Sequence, residues 1–142
     1  AGGIWDSTDI KKFLNLGASG VQMATRFVAT NECDASIEFK KAYVNAKTED
    51  IKIINSPVGM PGRAICNNFI KRVEKEKCKI DKCYNCIKTC NVIDSPYCIT
   101  KALINSVNGK TDDGLIFCGS NVNKIKEILS VKELMKELVC EL

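Results

Sequence analysis

Histidine is absent from this chain of 142 residues. That absence removes every Cys-His or Ser-His arrangement for nucleophilic catalysis, together with the side chain that most often serves as a general base. No pair of carboxylates is placed to substitute for it. The chain therefore offers no catalytic group of its own, and proton transfer is expected to fall to residues outside it. Arginine is scarce as well: of 21 Lys and Arg, only Arg26, Arg63 and Arg72 are Arg, and aromatic residues make up 6%. Without an interleaved patch of Arg and aromatics, nucleic-acid binding is not expected. No apolar run approaches the ~20 residues that cross a bilayer, so no membrane span is expected. Nor do these residues contain the charged-then-apolar stretch, ending in a small-residue cleavage site, that is expected of a leader.

What remains is the composition of a globular domain, 45% hydrophobic and 27% charged, with a net charge of +4 spread along helical stretches as a solvated surface. The length can bury a sizeable core. The nine Cys are unevenly placed: Cys78, Cys83, Cys86, Cys90 and Cys98 cluster, while Cys33, Cys66, Cys118 and Cys140 are scattered. An odd count without a leader favours reduced thiols in a cytoplasmic protein over a disulfide framework.

Along the chain, Ser7 or Thr8 is expected to cap a helix whose stripe is Ile10, Phe13, Leu14 and Leu16, ended by Gly17. Residues 20–23 form a short strand candidate. Asp34 or Ser36 starts the next helix, and residues 50–55 are a second strand candidate. Residues 56–62, with two Pro and two Gly, read as a loop of fixed path. A helix over 67–77 and the Cys cluster follow. Ser95 and Pro96 then open a helix that Gly109 ends. Residues 115–120 read as an apolar, strand-like entry into a turn, and residues 121–129 as helical. Ser130-Val131-Lys132-Glu133 is a capping box for a last helix with Val131, Leu134, Leu138 and Met135 as candidates for its inner face.

The sharpest chemical signal is a pair of turns about one βα unit apart, Ala1-Gly2-Gly3-Ile4 and Gly20-Val21-Gln22-Met23-Ala24-Thr25. Backbone N–H groups at such turns present positive partial charge to an anion, and small residues let a phosphate approach. Paired turns of this kind resemble the phosphate-gripping loops after strands seven and eight of a (β/α)8 barrel, of which a complete example takes about 250 residues. The fold class expected is therefore α/β: the C-terminal part of a TIM barrel over residues 1–70, with a mostly helical, Cys-rich extension over 71–142.

Residues 1–69 resemble the nitronate monooxygenases, formerly 2-nitropropane dioxygenases, and the related flavin-dependent enoyl-acyl-carrier-protein reductases. The resemblance is carried by Ala1-Gly2-Gly3-Ile4, Leu16-Gly17-Ala18, the run from Gly20 to Phe27, Thr30, Glu32, Gly62-Arg63-Ala64-Ile65 and Asn67. Beyond residue 70 it thins to Pro96-Tyr97-Cys98, Gly114-Leu115 and Gly119. It implies an FMN cofactor whose phosphate is held by Gly2, Gly3, Gln22, Met23, Ala24 and Thr25, although the family more often has Gly where this chain has Ala24. Arg26 reads either as a phosphate ligand or as one side of an ion pair on the outer helical layer. The resemblance further implies a small-molecule substrate, a nitronate or an enoyl thioester, and a partner in the form of a preceding barrel portion. A homodimer is the simplest way to cover exposed strand edges and helix faces.

The Cys cluster carries the second chemical reading. Cys78, Cys83, Cys86 and Cys90 could hold Zn²⁺ or an iron-sulfur cluster. Alternatively Cys83, Cys86, Ile87 and Cys90, at i, i+3, i+4 and i+7, form an apolar helix stripe of buried thiols, or some of them pair as disulfides. Two classes of function follow, an FMN oxidoreductase part and a stand-alone metal-binding or interaction module.

Overall fold

The computed structural model describes residues 1–88, 90–140 and 142. Six α-helices and one two-stranded antiparallel sheet are found among them, besides short 3-10 turns: α1 (Ser7–Asn15), α2 (Thr25–Val28), α3 (Ile37–Val44), β1 (Ile51–Asn55), β2 (Pro61–Ile65), α4 (Asn68–Val73), α5 (Ile99–Val107) and α6 (Val131–Val139). None of these helices is long and apolar enough to cross a membrane.

The helix ends follow from local chemistry. Asp6, rather than Ser7 or Thr8, caps α1, its side chain accepting from the Asp9 N–H at 3.0 Å, and Ser7 is buried in the first turn. Gly17 leaves that helix at φ +92°, a left-handed conformation that glycine adopts without cost. Of the expected α1 stripe only Ile10 is buried, while Leu16 is 74% exposed. Ser36 caps α3 and Asn67 caps α4, which stops at Val73, short of residue 77. The box at α6 closes both ways, Ser130 to the Glu133 N–H and Glu133 to the Ser130 N–H. Leu134 and Leu138 face inward, and Met135 faces out.

Several expectations are corrected. Residues 20–23 are not a strand, because no neighbouring strand supplies ladder partners. They still alternate as a strand would: Val21 and Met23 pack toward Ile10, Leu134 and Leu138, whereas Gln22 and Ala24 are exposed. Pro61 and Gly62 belong to β2 instead of a loop, with Pro61 paired opposite Asn55 at the strand's first position, where proline is tolerated. Residues 95 and 96 precede α5, whose N-cap is Cys98. The helix expected over 121–129 is a single tight turn at Val122–Lys124, after which the chain extends so that Leu129 bridges Thr30 in parallel. No helix forms among the described residues of 78–98, so the stripe of Cys83, Cys86, Ile87 and Cys90 does not exist; Cys83 and Cys86 are exposed.

Residues 115–118 are the strand-like entry that the sequence suggests, held to β2 by the Ala64–Phe117 bridge and by the bonds Ile65 N to Ile116 O and Cys118 N to Arg63 O, each 2.9 Å. Gly62 makes this approach possible, since a Cβ there would meet the Phe117 ring at 2.4 Å. Packing runs across position 70. Ala29, Phe39, Tyr43 and Ala46 meet Ile116, Val122 and Ile125 in one cluster, and Ile54, Ala64, Phe69 and Ile70 meet Tyr97, Ile99, Ala102 and Leu115 in another. Tyr43 ties the first cluster to the site wall by donating to the Phe117 carbonyl at 2.6 Å. Burial raises the pKa of that phenol.

Candidate cofactor site

A cavity of about 300 Å³ opens between the chain's first residues, the approach to α2 and the turn after Phe117. Its lining includes all six residues singled out from the sequence: Gly2, Gly3, Gln22, Met23, Ala24 and Thr25. Three loops from distant parts of the chain meet here because each is tied to its neighbour. The Thr25 hydroxyl accepts from the Gly119 N–H at 2.8 Å, and the Asn121 side-chain amide donates to the Gly3 carbonyl at 3.0 Å. Trp5 closes one side, its N–H fixed by Asp9 at 2.8 Å.

The cavity is rich in unused donors. Among the described residues, the backbone N–H groups of Gly2, Gly3 and Ile4, of Gln22 through Arg26, and of Ser120 and Asn121 donate no hydrogen bond within the chain. Gly2 and Gly3 stand at φ +84° and +74°, with nothing within 4 Å of where a Cβ would lie. Glycine is thus required there by backbone conformation, and the space beside it is open to a ligand. Ala24 has φ −131°, which any residue adopts, so alanine in place of the family's usual glycine leaves the loop path intact.

No carboxylate or imidazole lines the cavity. Arg26 does, yet its guanidinium is committed elsewhere: to Glu137 at 2.5 Å, to the Trp5 carbonyl at 3.1 Å, and to the face of the Trp5 ring at 4.5 Å. Of its two readings, the geometry gives the ion pair. The site therefore presents an anion with backbone dipoles in place of side-chain charge. Gly119, Ser120 and Asn121 are lining residues that sequence reasoning did not assign; the apolar run ending in the turn at Gly119 was the one signal for them.

Of the four cysteines considered for metal, Cys83, Cys86 and Cys90 line one concavity and Cys78 stands apart. Cys78 lies with Phe69 and Arg72 on another face, its N–H donating to the Pro96 carbonyl at 2.8 Å. Among the described residues no group of three or more His, Cys, Asp or Glu side chains is arranged to hold a metal ion. The zinc or iron-sulfur site expected at Cys78, Cys83, Cys86 and Cys90 is thus not preassembled: Cys83, Cys86 and Cys90 line one concavity with Cys98, and Cys78 lines another.

The family model for nitronate monooxygenase matches residues 1–141. The chain belongs to the nitronate monooxygenase family. Among relatives of this family, a probable nitronate monooxygenase of Bacillus subtilis (strain 168) is 27% identical over 145 residues, covering 99% of this chain and 38% of that protein. A probable nitronate monooxygenase of Staphylococcus saprophyticus is 39% identical over 75 residues, 53% of this chain and 21% of that protein. The solved structure of FabK from Thermotoga maritima superposes with a TM-score of 0.75 at 26% identity, covering 99% of this chain and 42% of that one. Its M276A mutant gives 0.71 at 25% identity, with 99% and 38% covered. The chain thus spans less than half the length of these relatives, and within that span it has the α/β fold of the family.

Proposed function

We propose that this protein is an FMN-dependent oxidoreductase acting on small molecules, that the cavity holds the FMN phosphate, and that its reaction is the oxidative denitrification of alkyl nitronates. One observation carries the reading. Backbone donors without acceptors, from Gly2-Gly3 on one side and Gln22 to Thr25 on the other, line a single open cavity next to a wall of Gly119 to Asn121. Membership of the nitronate monooxygenase family supports the cofactor assignment.

When bound, the flavin supplies the redox chemistry, accepting electrons from the nitronate and passing them to oxygen. The residues described here bind and orient. The N–H groups of Gly3, Met23, Ala24 and Thr25 would take the phosphate oxygens, bonds that are stronger for an anion than for a neutral acceptor. Thr25 and Asn121 hold the three loops in register. The ion pair of Arg26 with Glu137 fixes α2 against α6. The lining carries no acid or base, so proton transfer from the substrate falls to residues outside the cavity.

A second reading keeps the same phosphate site and changes the substrate. Similarity to FabK, together with the sequence's resemblance to enoyl-acyl-carrier-protein reductases, favours reduction of an enoyl thioester at the expense of a nicotinamide. Oxygen uptake with an alkyl nitronate, measured beside nicotinamide oxidation with an enoyl thioester, separates the two on the intact protein. The site itself is tested by Gly3→Asp. A carboxylate about 4 Å from a phosphate charge costs on the order of 4 kcal/mol at an effective dielectric constant of 20, so FMN should be lost. Gly3→Ala carries only the conformational cost of about 1–2 kcal/mol and should retain it in part. Full flavin content in purified Gly3→Asp protein would sink the assignment.

A further inference from the structure

The cysteine-rich segment, which the flavin site does not use, carries a chemistry of its own. Cys83, Cys86, Cys90 and Cys98 line a concavity of about 220 Å³ distinct from the flavin cavity. They are not equivalent. Cys83 and Cys86 are exposed, whereas Cys90 is half-buried with its sulfur 3.4 Å from the Ser95 hydroxyl, and Cys98 is half-buried at the N-cap of α5. Between the two exposed thiols lies Asn85, whose φ of +49° makes it the one described non-glycine residue in the left-handed region. Asn85 also grips Cys83, its N–H donating to the sulfur and its side-chain oxygen accepting from it, both at 3.4 Å. Of the four thiols lining the concavity, Cys83 and Cys86, three residues apart in Cys-x-x-Cys, are the two open to solvent. Lys82 and Lys88 flank the pair in sequence, Lys82 lying 5.5 Å from the Tyr84 ring, so an anionic partner is drawn to it.

We propose that Cys83 and Cys86 are a reversible dithiol–disulfide pair whose substrate is an anionic low-molecular-weight disulfide of the glutathione type. The Cys83 thiolate attacks one sulfur of the external disulfide, forming a mixed disulfide and expelling one thiolate. The Cys86 thiolate then attacks the Cys83 sulfur, forming the internal bond and expelling the second thiolate. Two protein thiols are oxidised by two electrons, one external disulfide is reduced to two thiols, and the two protons released pass to the departing thiolates. Excess external thiol drives the same steps backward.

The sequence provides a convenient readout, because trypsin cutting after Lys82 and Lys88 isolates residues 83–88 as one peptide. Intact protein is equilibrated with oxidised glutathione, alkylated and digested without reductant, and the peptide is weighed. The expected result is a peptide lighter by two hydrogens and resistant to alkylation, restored by dithiothreitol. In Cys86→Ser the peptide should carry one glutathione on Cys83, since the resolving thiol is gone. A wild-type peptide that stays fully alkylated, that accumulates glutathione on both thiols, or that is cross-linked to Cys90 or Cys98 would overturn the pairing. So would stoichiometric zinc in protein purified without added metal, with the thiols protected until a chelator is added.

Discussion

The hydrogen bond between Thr25 and Gly119 joins two segments 94 residues apart, both lining the cavity proposed for the flavin phosphate. Thr25→Val removes the acceptor and keeps the shape. The Gly119 N–H, half-buried, then loses its only partner among the described residues. Leaving a buried donor unsatisfied costs about 1–3 kcal/mol, and partial access of water places this case near the lower end. About 1 kcal/mol corresponds to a fivefold change in an equilibrium constant. Two measurements read it: fluorescence titration of FMN into flavin-free intact protein, and thermal unfolding of the same protein. Thr25→Val should weaken FMN about fivefold and lower Tm modestly, because the backbone donors persist. Thr25→Ser, which retains the oxygen, should stay near wild type. A Ser variant as weak as Val, or a Val variant with unchanged FMN affinity, would refute the view that this bond orders the cavity.

Two further outcomes follow from the packing. Gly114→Ala would place a Cβ 2.5 Å from the Ser106 nitrogen and 2.6 Å from its Cα, inside fully buried backbone of α5. Overpacking of this kind costs about 1–3 kcal/mol, so circular dichroism should show a lowered Tm; an unchanged Tm would contradict the contact. Alkaline pH should destabilise the protein. Burial pushes the Cys118 thiol from 9.0 up to about 11 and the Tyr97 phenol from 10.0 up to about 12. Both groups then hold protons longer in the folded chain than in the unfolded one, so stability is intact below pH 9 and declines as pH rises through 9 to 12. Denaturant midpoints at pH 7.5 and 10.5 measure the loss, and equal midpoints would contradict it.

Much of the site was legible because its chemistry is local. Gly2-Gly3 and the run from Gln22 to Thr25 declare tight backbone turns by residue type alone, and both line one cavity. Helix ends with a dedicated residue, Ser36, Ser130 with Glu133, Gly17 and Gly109, are readable for the same reason. The third wall was marked only by the apolar run ending in the turn at Gly119, since Gly119 and Asn121 reach the site through long-range contacts with Thr25 and Gly3. Residues 20–23 have the alternation of a strand but no ladder neighbour, and alternation alone does not make a sheet. β2 was hidden by Pro61 and Gly62, whose usual meaning is a turn; here Pro61 begins the strand and Gly62 makes room for Phe117. The cysteine stripe misled because four positions fit a helical period while Asn85 between them takes a left-handed conformation that no α-helix accommodates.

The central claim is that backbone N–H groups in this cavity hold a phosphate. Riboflavin is FMN without that phosphate, so the ratio of their dissociation constants from flavin-free intact protein isolates the interaction. Four hydrogen bonds to a charged acceptor, at about 1.5 kcal/mol each or more, imply that FMN binds on the order of 10⁴-fold more tightly than riboflavin. Gly3→Asp should abolish most of that difference, whereas Gly3→Ala, which adds no charge, should largely preserve it. Equal affinity of the wild-type protein for the two flavins would contradict the account.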